Sequence, residues 1–282
     1  MSSLRRPSKR LRLRRAIDAG VLLLIAVFAL FPILWGFSTS LKQPADIVRF
    51  PPEIIPSAPT LDNYAKLFAD GILLNAWNSL LVTVFTVLLS LSVGLMAAYA
   101  VARFNFRGKS AWMFLVVAVM SIPLPSLMIP TFGFLNTLGL IDSRLGLILL
   151  YTAYQLPVVV WMLYGFIKTI PVQLELAAMI DGYSRFQILG KIVLPLTRTG
   201  LIAAGLFVTT FAWNDFIVAL VMTSSKELRT LPIAVYEFIG YFGREWGPLT
   251  AAAILSAAPV IVIFVVFQRF FLSGMTGGSV KG

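Results

Sequence analysis

Charged residues are absent from six long stretches of the chain, at 19–41, 71–102, 110–141, 145–167, 199–225 and 246–268, apart from Asp215 in the fifth. An ionised side chain at the centre of a bilayer costs roughly 2.5–3.5 kcal/mol on insertion scales, so such gaps mark segments that lipid tolerates. Each is longer than the roughly 20 residues that a helix, rising 1.5 Å per residue, needs to cross about 30 Å of hydrocarbon. The pattern predicts an all-α polytopic membrane protein with six transmembrane helices. It leaves a basic N-terminus (1–18), a first helix (19–41), a long loop (42–70), a core of five further spans (72–268) and a tail (269–282).

Composition agrees and narrows the chemistry. Of 282 residues, 59% are hydrophobic and 12% charged, and the mean hydropathy is +0.89. That is too apolar for a soluble domain. A net charge of +11 would suit a nucleic-acid binder or a membrane protein with basic inner loops, and the apolarity selects the second. No nucleic-acid partner is expected. The chain has no Cys and no His, which excludes disulfides, thiolate chemistry, His-ligated metals and imidazole proton relays. No metal site and no catalytic residue emerge from what remains, so the chain reads as a non-enzyme.

Orientation follows from the basic residues, because short positive loops resist translocation. With the N-terminus inside, 16 of the 23 Lys and Arg fall on the cytoplasmic side and 7 outside. Both termini are therefore expected in the cytoplasm, with 42–70 and 226–245 external. The basic run ahead of the first span resembles the start of a signal peptide. The apolar stretch behind it is too long for a signal core, however, and Phe31, Pro32, Trp35 and Phe37 stand where a cleavage site would need small residues. A retained first helix is expected. Pro123, Pro125 and Pro130 lie in the third span, Pro157 in the fourth and Pro259 in the sixth. Each removes a backbone hydrogen bond, which means either kinks satisfied by neighbours or broken helices around a polar path.

The segment 168–198 is too long and too patterned for a plain connection. Thr169 and Pro171 suit a helix start, 172–180 holds mostly good helix formers, and Gly182 fits the left-handed position that ends a helix. Ser184 and Gln187 match a capping box that opens a second helix, expected to stop before Pro195. Leu174, Ala177 and Ala178, then Phe186, Leu189, Gly190 and Val193, recur at helical spacing and give each helix a face to bury. A helix lying on the membrane surface and a helix seated in a partner's groove would both select this pattern.

The run Glu175-Leu176-Ala177-Ala178-Met179-Ile180-Asp181-Gly182, then nine residues, then Ile192-Val193-Leu194-Pro195, resembles the Glu-Ala-Ala-x3-Gly-x9-Ile-x-Leu-Pro motif of binding-protein-dependent ABC importer permeases. The spacing matches throughout from Ala177 onward. The motif's Glu falls on Leu176, and Glu175 is similar to an acid often found one place earlier, about 100° away around the helix. Tyr183 also replaces the Ala common after Asp-Gly. The resemblance implies the type I importer permease fold and a coupling segment at 171–195, seated in a cleft of a cytoplasmic ATPase. It assigns ATPase coupling to Glu175, Ala177, Ala178, Asp181, Gly182, Ile192, Leu194 and Pro195. It extends over roughly 72–282, since Trp213-Asn214-Asp215-Phe216 is similar to a run of maltose-type carbohydrate permeases. The ending Gly274-Met275-Thr276-Gly277-Gly278-Ser279-Val280-Lys281-Gly282 resembles the tail of the smaller maltose permease subunit, which implies an ATPase-contacting tail through Gly277, Gly278 and Lys281. The implied partners are a second permease subunit, two ATPase subunits and an external solute-binding protein in a bacterial inner membrane. ATP and Mg would sit on the ATPases and no cofactor on this chain.

Asp215 is the one charged residue inside a span, and such residues face a cavity or a partner. At four-residue spacing it lies over Phe211, with Asn214 over Thr210 and Trp213 over Thr209. Thr210, Phe211, Trp213, Asn214 and Asp215 thus form a candidate translocation path suited to sugar hydroxyls and ring faces. The structural alternative is an interhelical hydrogen bond or a residue of the outer interface, because Asp215 lies in the external half of its helix. The second functional reading is a proton-coupled secondary transporter with Asp215 as its proton site. Gly108-Lys109-Ser110 supplies only the end of a phosphate-binding loop, with Arg103 where the first Gly is required. It reads as a short basic turn.

Overall fold

The computed structural model describes the backbone of residues 9–240 and 243–276 and the side chains of 17–239 and 245–268. In chain order the helices are α1 (Lys9–Ser40), α2 (Pro44–Ile47), α3 (Asp62–Ala69), α4 (Ile72–Arg103), α5 (Lys109–Met120), α6 (Leu124–Thr137), α7 (Arg144–Lys168), α8 (Val172–Ile180) and α9 (Arg185–Ile188). A π-helical turn, Leu189–Val193, precedes α10 (Leu194–Leu196), α11 (Arg198–Asn214), α12 (Ile217–Met222), α13 (Leu231–Glu237) and α14 (Trp246–Thr276). A 3₁₀ turn at Lys226–Leu228 and a two-residue antiparallel pair, β1 (Ile239–Gly240) with β2 (Gly243–Arg244), complete the described elements.

Four of the six expected spans are unbroken apolar helices, supplied by α1, α4, α7 and α14. Two are not. The stretch 110–141 is split into α5 and α6, whose axes bend by 102°. Pro123 caps α6 in an extended conformation and Pro125 lies in its first turn. Proline pushes the residue before it out of the helical region, so Ile122 cannot continue α5. The stretch 199–225 is split between α11 and α12 at Asp215 and Phe216. The 17 residues of α11 rise only about 25 Å, and the chain resumes a helix after the break. Pro130, Pro157 and Pro259 are carried inside α6, α7 and α14 without a break.

The chain divides into two compact units, one from residues up to 70 with 238–255, the other from 71–237 with residues from 256 onward. In the first, α1 exposes every residue from Ile17 to Leu34, as suits a helix apolar on all sides and meant for lipid. Asn63 holds the chain beyond α1 by donating to the carbonyls of Ser40 and Lys42 at 2.8 and 2.9 Å. Gly247 packs so closely on Asn63 that a Cβ there would meet Oδ1 at 2.4 Å.

The second unit is built on the pairing of α4 with α7, against which α11 packs. Lipid is as apolar as leucine, so helices in a membrane associate through close packing of small residues. Gly94 and Ala98 of α4 face Val159 and Val160 of α7, and Gly200 of α11 lies against the ring of Phe166. Polar groups fasten the ends. Fully buried Asn78 donates to the carbonyls of Glu227 and Arg229 at 2.8 and 3.0 Å and accepts from Arg144 Nε at 3.0 Å. Asp142, held at φ 55°, accepts from the amides of Ser224 and Ser225 at 2.8 and 2.9 Å and from the Ser225 hydroxyl. The hydroxyl, then the two amides, hold its carboxyl below the usual carboxylate range.

Two expectations follow. A Cβ at Gly94 would sit 2.5 Å from Val159 Cγ1, so Gly94→Ala should cost about 1–3 kcal/mol by overpacking. Val159→Ala in the same chain should recover part of the loss, as read by thermal unfolding in detergent. Asp142→Asn tolerates the backbone but removes the charge. Because the native pKa is lowered, the wild-type advantage is complete above the unfolded value of about 3.9 and disappears as the pH falls through the native one. The difference in melting temperature should be constant near neutrality and vanish in acid.

Candidate functional site

The 168–198 segment folds as two short helices about a left-handed turn. Helix α8 occupies Val172–Ile180, the range expected from the sequence. Gly182 has φ +84°; its amide donates to the Met179 carbonyl at 3.1 Å and that of Tyr183 to Ala178 at 2.9 Å. These are the two reversed bonds of a Schellman C-cap, which require a residue with positive φ at this place. The capping box is complete: Ser184 accepts from the Gln187 amide and its own amide donates to Gln187 Oε1 at 2.8 Å. The turn at Gly108 is likewise left-handed and opens α5.

The second helix departs from expectation. It does not stop before Pro195 but runs to Leu196, with α9, the π turn and α10 in continuity. In the π turn the Leu194 amide reaches back five residues to Leu189. A turn widened in this way tolerates the missing amide of Pro195 and resets the helical phase. The fully buried residues are consequently Ile188 and Val193, five apart, while Phe186 stays 80% exposed and Gly190 is exposed. Ile192 is half-buried, and Leu194 and Pro195 are exposed.

The buried face of α8 also differs. Leu174 and Ala177 point outward; Glu175 and Ala178 point in. Glu175 is 1% exposed. Its Oε1 accepts from Arg103 Nε at 2.6 Å and its Oε2 from the Tyr99 hydroxyl at 3.0 Å. Glu175 is therefore an internal partner of α4 rather than part of the outer surface of α8. Arg103 and Tyr99 were not singled out by sequence; the available signal was a cation ending one span and an acid near the end of another. Outward, Ala177, Asp181 and Gly182 are exposed together with Leu174, Leu176, Ile180 and Phe186. Leu176 and Ile180, four apart, share one exposed face of α8, and exposed large apolar side chains of this kind mark a contact surface.

In the fifth span the five candidate path residues do not share a face. Asn214 does sit over Thr210, donating to its carbonyl at 2.8 Å, and both are exposed. Trp213 is instead buried, its Nε1 donating to the Ser256 carbonyl of α14 at 2.9 Å. Asp215 Oδ2 accepts from the Tyr151 hydroxyl at 2.8 Å and from the Ala219 amide at 3.0 Å, so it bridges α7 to the first turn of α12. The ring of Phe211 meets that of Tyr151 edge-on at 5.6 Å. Asp215 is thus the interhelical bond of the structural alternative, and it caps the break at its own position. Thr210 and Phe211 do line a groove of about 400 Å³ with Met162, Leu206, Phe207 and Phe264. Gly277, Gly278 and Lys281 lie outside the described residues.

Comparison with known proteins accounts for this arrangement. Residues 90–277 match the family described as binding-protein-dependent transport system inner membrane component. The sulfoquinovosyl glycerol transport system permease protein SmoH of Agrobacterium fabrum is 39% identical over 269 residues, covering 95% of this chain and 93% of that protein. The trehalose transport system permease protein SugB of Mycobacterium tuberculosis is 39% identical over 273 residues, covering 95% and 99%. Among solved structures, a chain of a bacterial ABC transporter involved in alginate import superposes with a TM-score of 0.82 at 24% identity over 94% of this chain and 99% of that one, which establishes a shared fold. Nothing in these matches supports a proton-coupled carrier.

No atom lies within 4 Å of a Cβ built on Gly182, so substitution there tests backbone conformation alone. Gly182→Val should cost roughly 1–2 kcal/mol, and Gly182→Asn less, because Asn visits the left-handed region more readily. Tryptic cleavage after Arg185 should quicken about tenfold in the Val variant if local opening limits it.

Proposed function

The chain belongs to the family of binding-protein-dependent transport system inner membrane components, and from that premise we propose the following role. It is the permease subunit of an ATP-driven importer and forms half of a translocation pathway for a carbohydrate. The solute is delivered by an external binding protein. ATP and Mg are bound by two ATPase subunits, and a second permease subunit completes the path. The chain lies in a bacterial inner membrane with both termini in the cytoplasm, an orientation that the distribution of basic residues supports.

The observation that carries this reading is the α8–Gly182–α9 unit, which exposes Leu176 and Ile180 on one face of α8 and Phe186 beyond the turn. A segment capped on both sides of its central turn and fastened at its base by Glu175 suits the transmission of a push. The exposed apolar side chains supply the surface a partner would cover. Asp181 and Gly182 at the turn, with Ile192, Leu194 and Pro195 beyond it, complete the segment that the family resemblance assigns to ATPase coupling. Glu175 acts there by positioning α8. The tail residues Gly277, Gly278 and Lys281 are proposed as a second ATPase contact on the resemblance alone.

The carbohydrate class is supported by the names of the relatives, two of which are permeases for sulfoquinovosyl glycerol and trehalose. Thr210 and Asn214 on the exposed face of α11, with Phe211 beside them, offer hydroxyl, amide and ring to such a solute. Trp213 and Asp215 contribute by holding α11 and α12 in place.

Purification of the tagged chain from its native membrane in mild detergent tests the assembly. Recovery of an ATPase subunit and a second permease is expected, and Ile180→Asp with Phe186→Asp should abolish recovery of the ATPase. A single chain that catalyses uptake in liposomes without ATP would refute the reading.

A further inference from the structure

The 168–198 segment buries Ala178, Ile188 and Val193 in one cluster with Leu95, Tyr99 and Leu163 of the spans, and Arg185 lies over the ring of Phe104 at 5.3 Å; its two ends differ in character. At its C-terminal end the chain turns by 79° at Thr197 into α11. At its N-terminal end the contact is through side chains and concentrates on one guanidinium. Arg103, the last residue of α4, donates from Nε to Glu175 on α8 and from Nη2 to the carbonyls of Ile167 and Ile170 at 3.0 and 2.9 Å. Tyr99, one turn earlier on α4, occupies the other carboxylate oxygen. The two charged side chains are 6% and 1% exposed.

A buried ion pair is weak grounds for stability, since apolar residues of like volume often serve as well; its best-attested use is to fix geometry. The planar fork of arginine fixes it in two directions at once, which the point charge of lysine cannot do. Here one direction is α8 and the other is the end of α7, while the stem belongs to α4. Helix α4 is packed onto α7 at Gly94 and Val159 with no room for a methyl group, so what moves one moves both.

We propose that Arg103, with Tyr99 and Glu175, is the rigid joint through which displacement of α8 is delivered to the α4–α7 pair. Arg103 and Tyr99 become positioning residues for transport. The inference rests on the proposed ATPase-driven role.

The test uses the full complex reconstituted with its partner subunits. The chain has no Cys, so nitroxide labels at Gln173 on α8 and Met96 on α4, both exposed, are its only labelled sites. In wild type the label-to-label distance distribution should be narrow and the same without nucleotide and with ATP and Mg. In Arg103→Met/Glu175→Met, which removes both charges together, the complex should assemble and hydrolyse ATP, yet the distribution should be about twofold wider and depend on nucleotide. Arg103→Lys should give an intermediate width. A wild-type distribution that shifts with ATP, or variant distributions as narrow as wild type, would overturn the joint. Failure of both variants to assemble would also overturn it, because the pair would then be a folding element only. If no ATPase subunit joins the wild-type complex, the parent reading fails instead, while the comparison of nucleotide-free wild type and variant still decides the joint.

Discussion

Hydrocarbon offers no hydrogen bonds, so a chain crossing it must satisfy every backbone group from within, and each interruption of a helix demands a side chain to stand in. This constraint organises the second unit. Asp215 takes up the amide of Ala219 where α11 gives way to α12. Asn78 takes no part in its own helix's bonds but supplies the carbonyls of Glu227 and Arg229. Arg103 donates to the carbonyls of Ile167 and Ile170 where the chain leaves α7, and Ser184 accepts from the Gln187 amide at the start of α9. These four polar residues are found at such places. Their positions mark where the chain departs from straight helices.

The breaks have local causes and distant supports, and this decides what could be read in advance. Helix α8, the turn at Gly182 and the capping box were legible because each depends on residues within a few positions of one another. The same holds for the apolar lengths of α1, α4, α7 and α14. What the sequence concealed depends on partners far along the chain. The inward turn of Glu175 follows from Arg103, 72 residues earlier, and the reach of Asp215 toward α7 from Tyr151, 64 residues earlier. A tyrosine inside a span needs a partner for its hydroxyl, and the lone acid of the spans was available, so that pairing was open to inference. The burial of Trp213 was not, since its acceptor is a backbone carbonyl.

A third kind of departure comes from helix geometry. Periodicity arguments assume 3.6 residues per turn. The π turn at Leu189–Val193 inserts a wider one; Val193 is buried as expected, but Ile188 joins it in place of Phe186 and Gly190. The same widening lets Pro195 continue a helix it would normally end. In 110–141, by contrast, the amides of Ser121 and Ile122 reach back only three residues, to Ala118 and Val119, and α5 ends before Pro123.

The exposure of Leu176, Ile180 and Phe186 bears on the life of the protein before it meets its partners. A newly inserted copy displays large apolar side chains beside a polar boundary, where they favour adhesion to any comparable surface. Its apparent stability is then tied to the supply of whatever covers them, by mass action. Surplus copies are candidates for aggregation or degradation, and overproduction of this chain alone should yield less usable material than balanced synthesis of the whole set.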